Sequence, residues 1–176
     1  MANIVKLQPY PSQLWLPDGT EVRLVPLNRT AYHPLYITRN GRPFAYVYAR
    51  NKQTSLYQWQ LTPRKPFTDT TAGGRYNANR KQRYLKLGKT FGAIFIHIAV
   101  ALAWNGPQDT DEFGHLFQCH HLNGITMDNR HTNLIWLSRA DHRRFDAALK
   151  GGLILTRVDP AKIMEQEPLK YADENE

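Results

Sequence analysis

One cysteine, Cys119, stands in 176 residues, so no internal disulfide can form and no cysteine-rich zinc framework exists. Long apolar runs are missing as well. The best of them, Phe91 to Trp104, falls short of the roughly 18–20 residues a membrane span needs and carries His97 within it. The first residues hold no basic stretch followed by an apolar segment, so no secretory signal is evident. No internal repeat is visible. These absences set the expectation of an intracellular, cytoplasmic protein with no membrane partner.

Acidic residues are scarce relative to basic ones: 15 Asp and Glu against 23 Lys and Arg, for a formal net charge of +8 and a pI near 9.7. A chain this basic suits a polyanionic partner, because each cation placed beside a phosphate releases condensed counterions. The charge is also positioned. Arg64, Lys65, Arg75, Arg80, Lys81, Arg83, Lys86 and Lys89 lie together with Asp69 as their single acid, and Tyr76 and Tyr84 are interleaved with them. A second group, Arg139, Arg143, Arg144 and Lys150, follows a cluster of histidines, whereas residues 160–176 are acidic. The Arg64–Lys89 group is a candidate contact for the backbone of such a polyanion.

Hydrophobic residues make up 41% of the chain, with nine Tyr, seven Phe and four Trp, which supplies a core for one ordinary domain or two small ones. Pro17-Asp18-Gly19-Thr20 sits between Leu14–Leu16 and Val22–Val25, predicting a hairpin. Asn40-Gly41 between Leu35–Thr38 and Phe44–Tyr48 predicts another. Ser55 to Leu61 reads as a further strand closed by Pro63, residues 62–82 as polar with a loop over Thr68 to Gly74, and Thr90 to Ile96 as a returning strand. Ile96 to Trp104 is apolar enough for a buried helix, stopped by Asn105-Gly106-Pro107. Residues 107–115 read as an acidic loop. Phe117–Leu122 and Leu134–Leu137 read as short strands, with Ser138 as the N-cap of a helix running to about Leu149 and stopped by Gly151-Gly152.

The segment from Cys119 to His142 carries the chemistry. Two short strands followed at once by a helix bring His120 and His121 near the first turns of that helix, where His142 lies. Adjacent strand residues point to opposite faces, so unless the strand ends there the two histidines have different tasks: one can share a metal with His142 while the other faces substrate. A mixed zinc site of His115, Cys119, His131 and His142 lacks the paired cysteines such frameworks use. Cys119 as a nucleophile has no accompanying oxyanion-hole motif, and it reads better as a small buried residue. His97, on an apolar helix, reads as structural and engaged in a buried hydrogen bond. His115 and His131 read as spectators.

His121-Leu122-Asn123-Gly124, Asp128-Asn129, Asn133-Leu134-Ile135-Trp136 and His142, in that order and spacing, resemble the HNH (ββα-metal) endonuclease superfamily, in particular the phage and intron homing type. Ile96–Trp104 is similar to the helix that precedes the motif in those enzymes. Tyr36–Arg42 and Leu61–Arg64 are more weakly similar to the N-terminal module often fused to it. The resemblance implies an α+β protein: a β-rich DNA-contacting part over 1–66, a basic connection over 67–83, a nuclease core over 84–150 and a tail over 151–176.

It further implies roles. His121 is the general base, which suits an imidazole titrating near neutrality. Asn133 hydrogen-bonds His121 and fixes its orientation and tautomer. His120 and His142 hold one divalent cation, Mg2+ or Mn2+, with Ni2+, Co2+ or Zn2+ as alternatives. His120 stands where homing-type relatives often have Asp, and an all-imidazole pair favours the softer ions over Mg2+. The implied partner is double-stranded DNA, the chain acting as monomer or homodimer, and the products carry 5′-phosphate and 3′-hydroxyl ends. Arg64, Lys65, Arg75, Arg80, Lys81, Arg83, Arg139 and Arg143 are the expected DNA contacts. The competing readings are a DNA-binding protein whose core does not cut, and an enzyme of the same superfamily acting in restriction or DNA packaging.

Overall fold

The computed structural model describes residues 10–27, 33–69 and 84–150. The fold is α+β and mostly strand. Strands β1 (Gln13–Trp15), β2 (Glu21–Leu24), β3 (Leu35–Thr38), β4 (Pro43–Arg50) and β5 (Tyr57–Pro63) form one antiparallel sheet in sequence order, curled on itself. β6 (Phe67–Asp69) pairs with β7 (Tyr84–Lys86) as a separate ribbon. Helix α1 (Ile96–Trp104) comes next, then the antiparallel ribbon of β8 (Gln118–His121) and β9 (Leu134–Leu137), and finally helix α2 (Arg139–Lys150).

The sheet alternates strictly, and its two faces do different things. Leu35, Ile37 and Ala45 on one face pack with Ile96, Ala99 and Val100 of α1, and with Leu87, Phe91 and Leu134. On the other, Val22, Tyr36 and Phe44 form a smaller core covered by Leu14, Leu24, Tyr46 and Leu61. Burying each such aliphatic or aromatic side chain contributes roughly 1.5–3 kcal/mol. The main core therefore draws on the N-terminal sheet, α1 and β9 together.

The turn between β3 and β4 is the seam. Gly41 has φ +84°, and a Cβ there would stand 2.9 Å from Ile96 Cγ2 and 3.1 Å from Asn129 Cβ. Only a residue without a side chain lets this turn press onto α1 and the 123–130 loop at once. Next to it the His131 amide donates to the Arg39 carbonyl at 2.9 Å, and the Trp104 indole donates to the Ile37 carbonyl at 3.2 Å.

The hairpins β1–β2 and β3–β4, helix α1, the β8–β9 ribbon and the start of α2 fall where the sequence puts them. Ser138 caps α2 as expected, its Oγ accepting from the Asp141 amide at 3.1 Å. Two segments differ. Thr68 and Asp69, the start of the expected loop, belong with Phe67 to a strand, because β7 offers them a ladder. The strand expected over Thr90–Ile96 is a 3-10 turn at Lys89–Phe91, ended by Gly92 at φ 75°, and only Phe95 keeps a bridge to Lys86. The left-handed glycine reverses the chain before a second ladder can form. The expected helix stop at Gly151-Gly152 and the 151–176 tail lie outside the described residues.

Candidate active site

The β8–β9 ribbon sets the geometry. Cys119 pairs with Trp136, His120 with Ile135 and His121 with Leu134, so the two histidines project from opposite faces of one strand. His120 faces α2, with its ring 4.7 Å from that of His142 and 5.6 Å from that of Phe145. His121 faces α1, with its ring 5.0 Å from that of His97 and 6.2 Å from that of Tyr84. Both are buried.

His120 Nδ1 and His142 Nε2 lie 3.3 Å apart. Two nitrogens each about 2.0–2.1 Å from one ion subtend that separation at a near-tetrahedral angle, so the pair has the bite of two ligands to one cation. Between neutral rings the same distance accommodates an N–H···N hydrogen bond. Among the described residues no third His, Cys, Asp or Glu joins the pair.

His121 is held from one side. Its Nε2 lies 3.2 Å from Asn129 Oδ1, while Asn129 Nδ2 donates to the Met127 carbonyl at 3.3 Å. The second bond orients the amide so that its oxygen faces the imidazole, which makes Nε2 the protonated nitrogen and leaves the lone pair on Nδ1. Burial pushes the His121 pKa below the ordinary imidazole value, with the Asn129 bond and the Asp128 charge pulling the other way. The ring is therefore neutral at neutral pH, as a proton acceptor must be.

Asn133 does a different job from the one expected. Its Nδ2 donates to Asn123 Oδ1 at 2.9 Å and to the Asp128 carbonyl at 2.8 Å, and its Oδ1 accepts from the Asn123 amide at 3.0 Å. The whole amide is spent on closing the loop between the strands. The partnership with His121 belongs to Asn129, which follows from the pairing: Asn133 enters β9 from the loop side, where Asn123 and Asp128 already converge. Asp128 extends the latch, accepting from Asn123 Nδ2 at 2.9 Å and from Arg130 at 2.6 and 2.8 Å.

The bystanders sort cleanly. His97 is buried among Tyr84, Phe95 and His121, and its Nδ1 has no hydrogen-bond partner. Burial, reinforced by the His121 charge, lowers it to about 3. Cys119 is pushed up to about 12 by burial alone, which removes it as a nucleophile; its thiol points at the His97 carbonyl, 3.8 Å away. His115 sits in an exposed turn 3.2 Å from Asp111 Oδ2, and His131 lies against Trp104, so neither joins the histidine pair. A cavity of about 420 Å3 runs past Tyr84, His97, Gln118, Cys119 and His142. His142 lines it and His121 does not.

No family model matches the chain, and neither a curated protein nor a solved structure is detectably similar to it. Its chemistry is read from its own residues.

Of the expected DNA contacts, Arg139 and Arg143 are exposed on the same helix as His142, and Lys65 is exposed beyond β5. Arg64 is half-buried, its guanidinium 5.8 Å from the Phe91 ring centre and its Nε buried without a hydrogen-bond partner, so it serves the core as much as the surface. Arg75, Arg80, Lys81 and Arg83 lie outside the described residues. Asn129 is the functional position that sequence reasoning quoted without giving it a task. Its signal was the pair Asp128-Asn129 at the tip of a loop between two ribbon strands, each side chain short enough to bond back across it.

Proposed function

We propose that the chain is a metal-dependent endonuclease of the HNH kind, hydrolysing phosphodiester bonds of double-stranded DNA to 5′-phosphate and 3′-hydroxyl ends, with a phage homing enzyme as its setting. The observation that carries this reading is the arrangement on one two-residue stretch of β8. His120 meets His142 at the separation of two cation ligands, while His121 is held neutral with one tautomer selected. The excess of positive charge supports a polyanionic substrate.

In this reading a water attacks phosphorus, the bond to the 3′ oxygen breaks, and the proton of that water passes to His121 Nδ1. The leaving oxygen takes its proton from solvent. Asn129 keeps the accepting nitrogen in place, and Asn133 keeps the loop that presents Asn129. His120 and His142 would hold a divalent cation, which would supply positive charge where negative charge grows on the phosphate.

The test is a plasmid-relaxation assay with Mg2+, Mn2+, Ni2+ or EDTA, wild type against His121→Ala. Metal-dependent nicking that EDTA and the substitution both abolish supports the assignment. Equal cleavage by both proteins removes His121 from the chemistry. Affinity for DNA that survives the substitution, with no cleavage by either protein on DNA from the native host, points to the binding-only reading.

A further inference from the structure

The sheet face turned away from α1 carries an uncovered row of rings. Tyr48 stands directly across from Trp59, and Arg50 from Tyr57, so these four side chains project to the same side. Tyr48 is 59% exposed, Tyr57 65% and Trp59 47%. Tyr46 and Trp59 stack with ring centres 5.1 Å apart and planes 21° from parallel. Tyr48 bridges Trp59 and Tyr57 at 5.6 and 6.0 Å, and Tyr10 closes the inner end 5.8 Å from Trp59. The small core of Val22, Tyr36 and Phe44 ends at Tyr46 and Leu61; beyond it the rings hold one another up and face solvent.

Their electrostatic surroundings are one-sided. From Val22 to Thr68 the chain has no Asp or Glu; Arg42 lies over the Phe44 ring on this face, whereas Arg23 and Arg39 lie over Trp104 and are ion-paired with Glu21. Arg50 shares the face of the rings and is anchored by its Nε to the Ser55 carbonyl at 3.0 Å. A second copy of the chain docked on this face would set like charges against each other. A strand of unpaired bases satisfies both features, because planar bases stack on exposed aromatic faces whatever their sequence while the phosphates meet the cations. Paired bases keep their faces inside the duplex and offer no such surface.

We infer that the Tyr48–Trp59–Tyr57 face is a binding platform for single-stranded DNA, engaging unpaired bases by stacking and the backbone through Arg50. The choice of DNA rests on the proposed function; the platform itself lies on the side of the sheet opposite α1 and needs no cation.

The experiment measures anisotropy of a labelled oligothymidylate with the full chain in EDTA, against an abasic oligonucleotide of the same length. The wild type binds the thymidylate more tightly than the abasic strand. Tyr48→Ala/Tyr57→Ala weakens thymidylate binding by about tenfold or more and leaves abasic binding unchanged, while Tyr48→Phe/Tyr57→Phe retains it. Both positions are exposed, and circular dichroism checks that the variants fold. Equal affinity of the wild type for the two strands, or an alanine variant that binds thymidylate as the wild type does, overturns the platform. So does a wild-type dimer in sedimentation that the alanine variant lacks, without any preference for bases. Because EDTA suppresses cleavage, failure of this experiment says nothing against His121, and a cleavage-dead protein still passes it.

Discussion

Asn129 reaches His121 across the ribbon loop, its Oδ1 3.2 Å from the imidazole Nε2, and the same amide is tied behind to the Met127 carbonyl. A side chain held at both ends selects one tautomer of its partner, and the selected tautomer leaves Nδ1 free to accept a proton. That makes Asn129 and Asn133 separable although they lie four residues apart on one loop.

Asn129→Ala is expected to lower the rate of cleavage by roughly 10–100-fold, the usual effect of losing a partner that orients a functional imidazole, with little change in thermal midpoint. Asn133→Ala removes three hydrogen bonds at once and is expected to lower stability by about 2–4 kcal/mol. Thermal melts and cleavage rates on both variants check the division. If Asn133→Ala melts like the wild type, the latch described above is not holding the loop.

The histidine pair predicts its own titration. Ni2+ or Zn2+ added to the protein is expected to bind, and His120→Ala or His142→Ala to weaken that binding by at least the roughly 10–100-fold that outer partners alone confer. His115→Ala is expected to change nothing, because His115 sits in a separate exposed turn. Calorimetry at neutral pH reads all three, independently of any cleavage.

Gly41→Ala is expected to destabilise the protein by about 2–4 kcal/mol, from the left-handed backbone at φ +84° and the clash with Ile96 Cγ2. The Asn129 Cβ is the other neighbour, so cleavage should fall beyond what the loss of folded protein explains. Urea unfolding, with cleavage measured where the variant remains folded, tests both halves.

His97 predicts how stability responds to acid. Burial sets its pKa at about 3 in the folded protein, against about 6.5 in the unfolded chain. Between those values the unfolded chain binds a proton that the folded one refuses. The His97 contribution is therefore fully favourable above about pH 6.5 and is lost as the pH falls toward 3, at up to about 1.4 kcal/mol per pH unit. His97→Leu removes this contribution. Its urea midpoint should fall less between pH 7 and pH 5 than that of the wild type, and an equal fall in both proteins would contradict the buried, neutral state.

Elements with local signals were legible from the sequence. Asn105-Gly106-Pro107 ended α1, Ser138 and Asp141 opened α2, and Asn40-Gly41 turned β3 into β4, each through chemistry contained within a few residues. The strand at Phe67–Asp69 was not, because its stability comes from β7, which returns only at Tyr84. The strand predicted after Lys89 failed because alternation of apolar residues says nothing of a left-handed Gly92. At the site, His120, His121 and His142 could be grouped by spacing alone. The identity of the residue bonded to His121 could not, since Asn123, Asn129 and Asn133 are chemically equivalent until the loop decides which of them faces the ring.

Arg39, Gly41, Trp104 and His131 bind the first sheet to the histidine ribbon through backbone as well as side chains. Fused modules that travel between proteins as cassettes meet across replaceable surfaces. Here the turn that ends β3 is moulded to the loop that carries Asn129, so a foreign sheet grafted ahead of α1 would have to reproduce a glycine and a carbonyl in register before the imidazole beneath them was correctly aimed. A change on either side of this seam is therefore felt on the other.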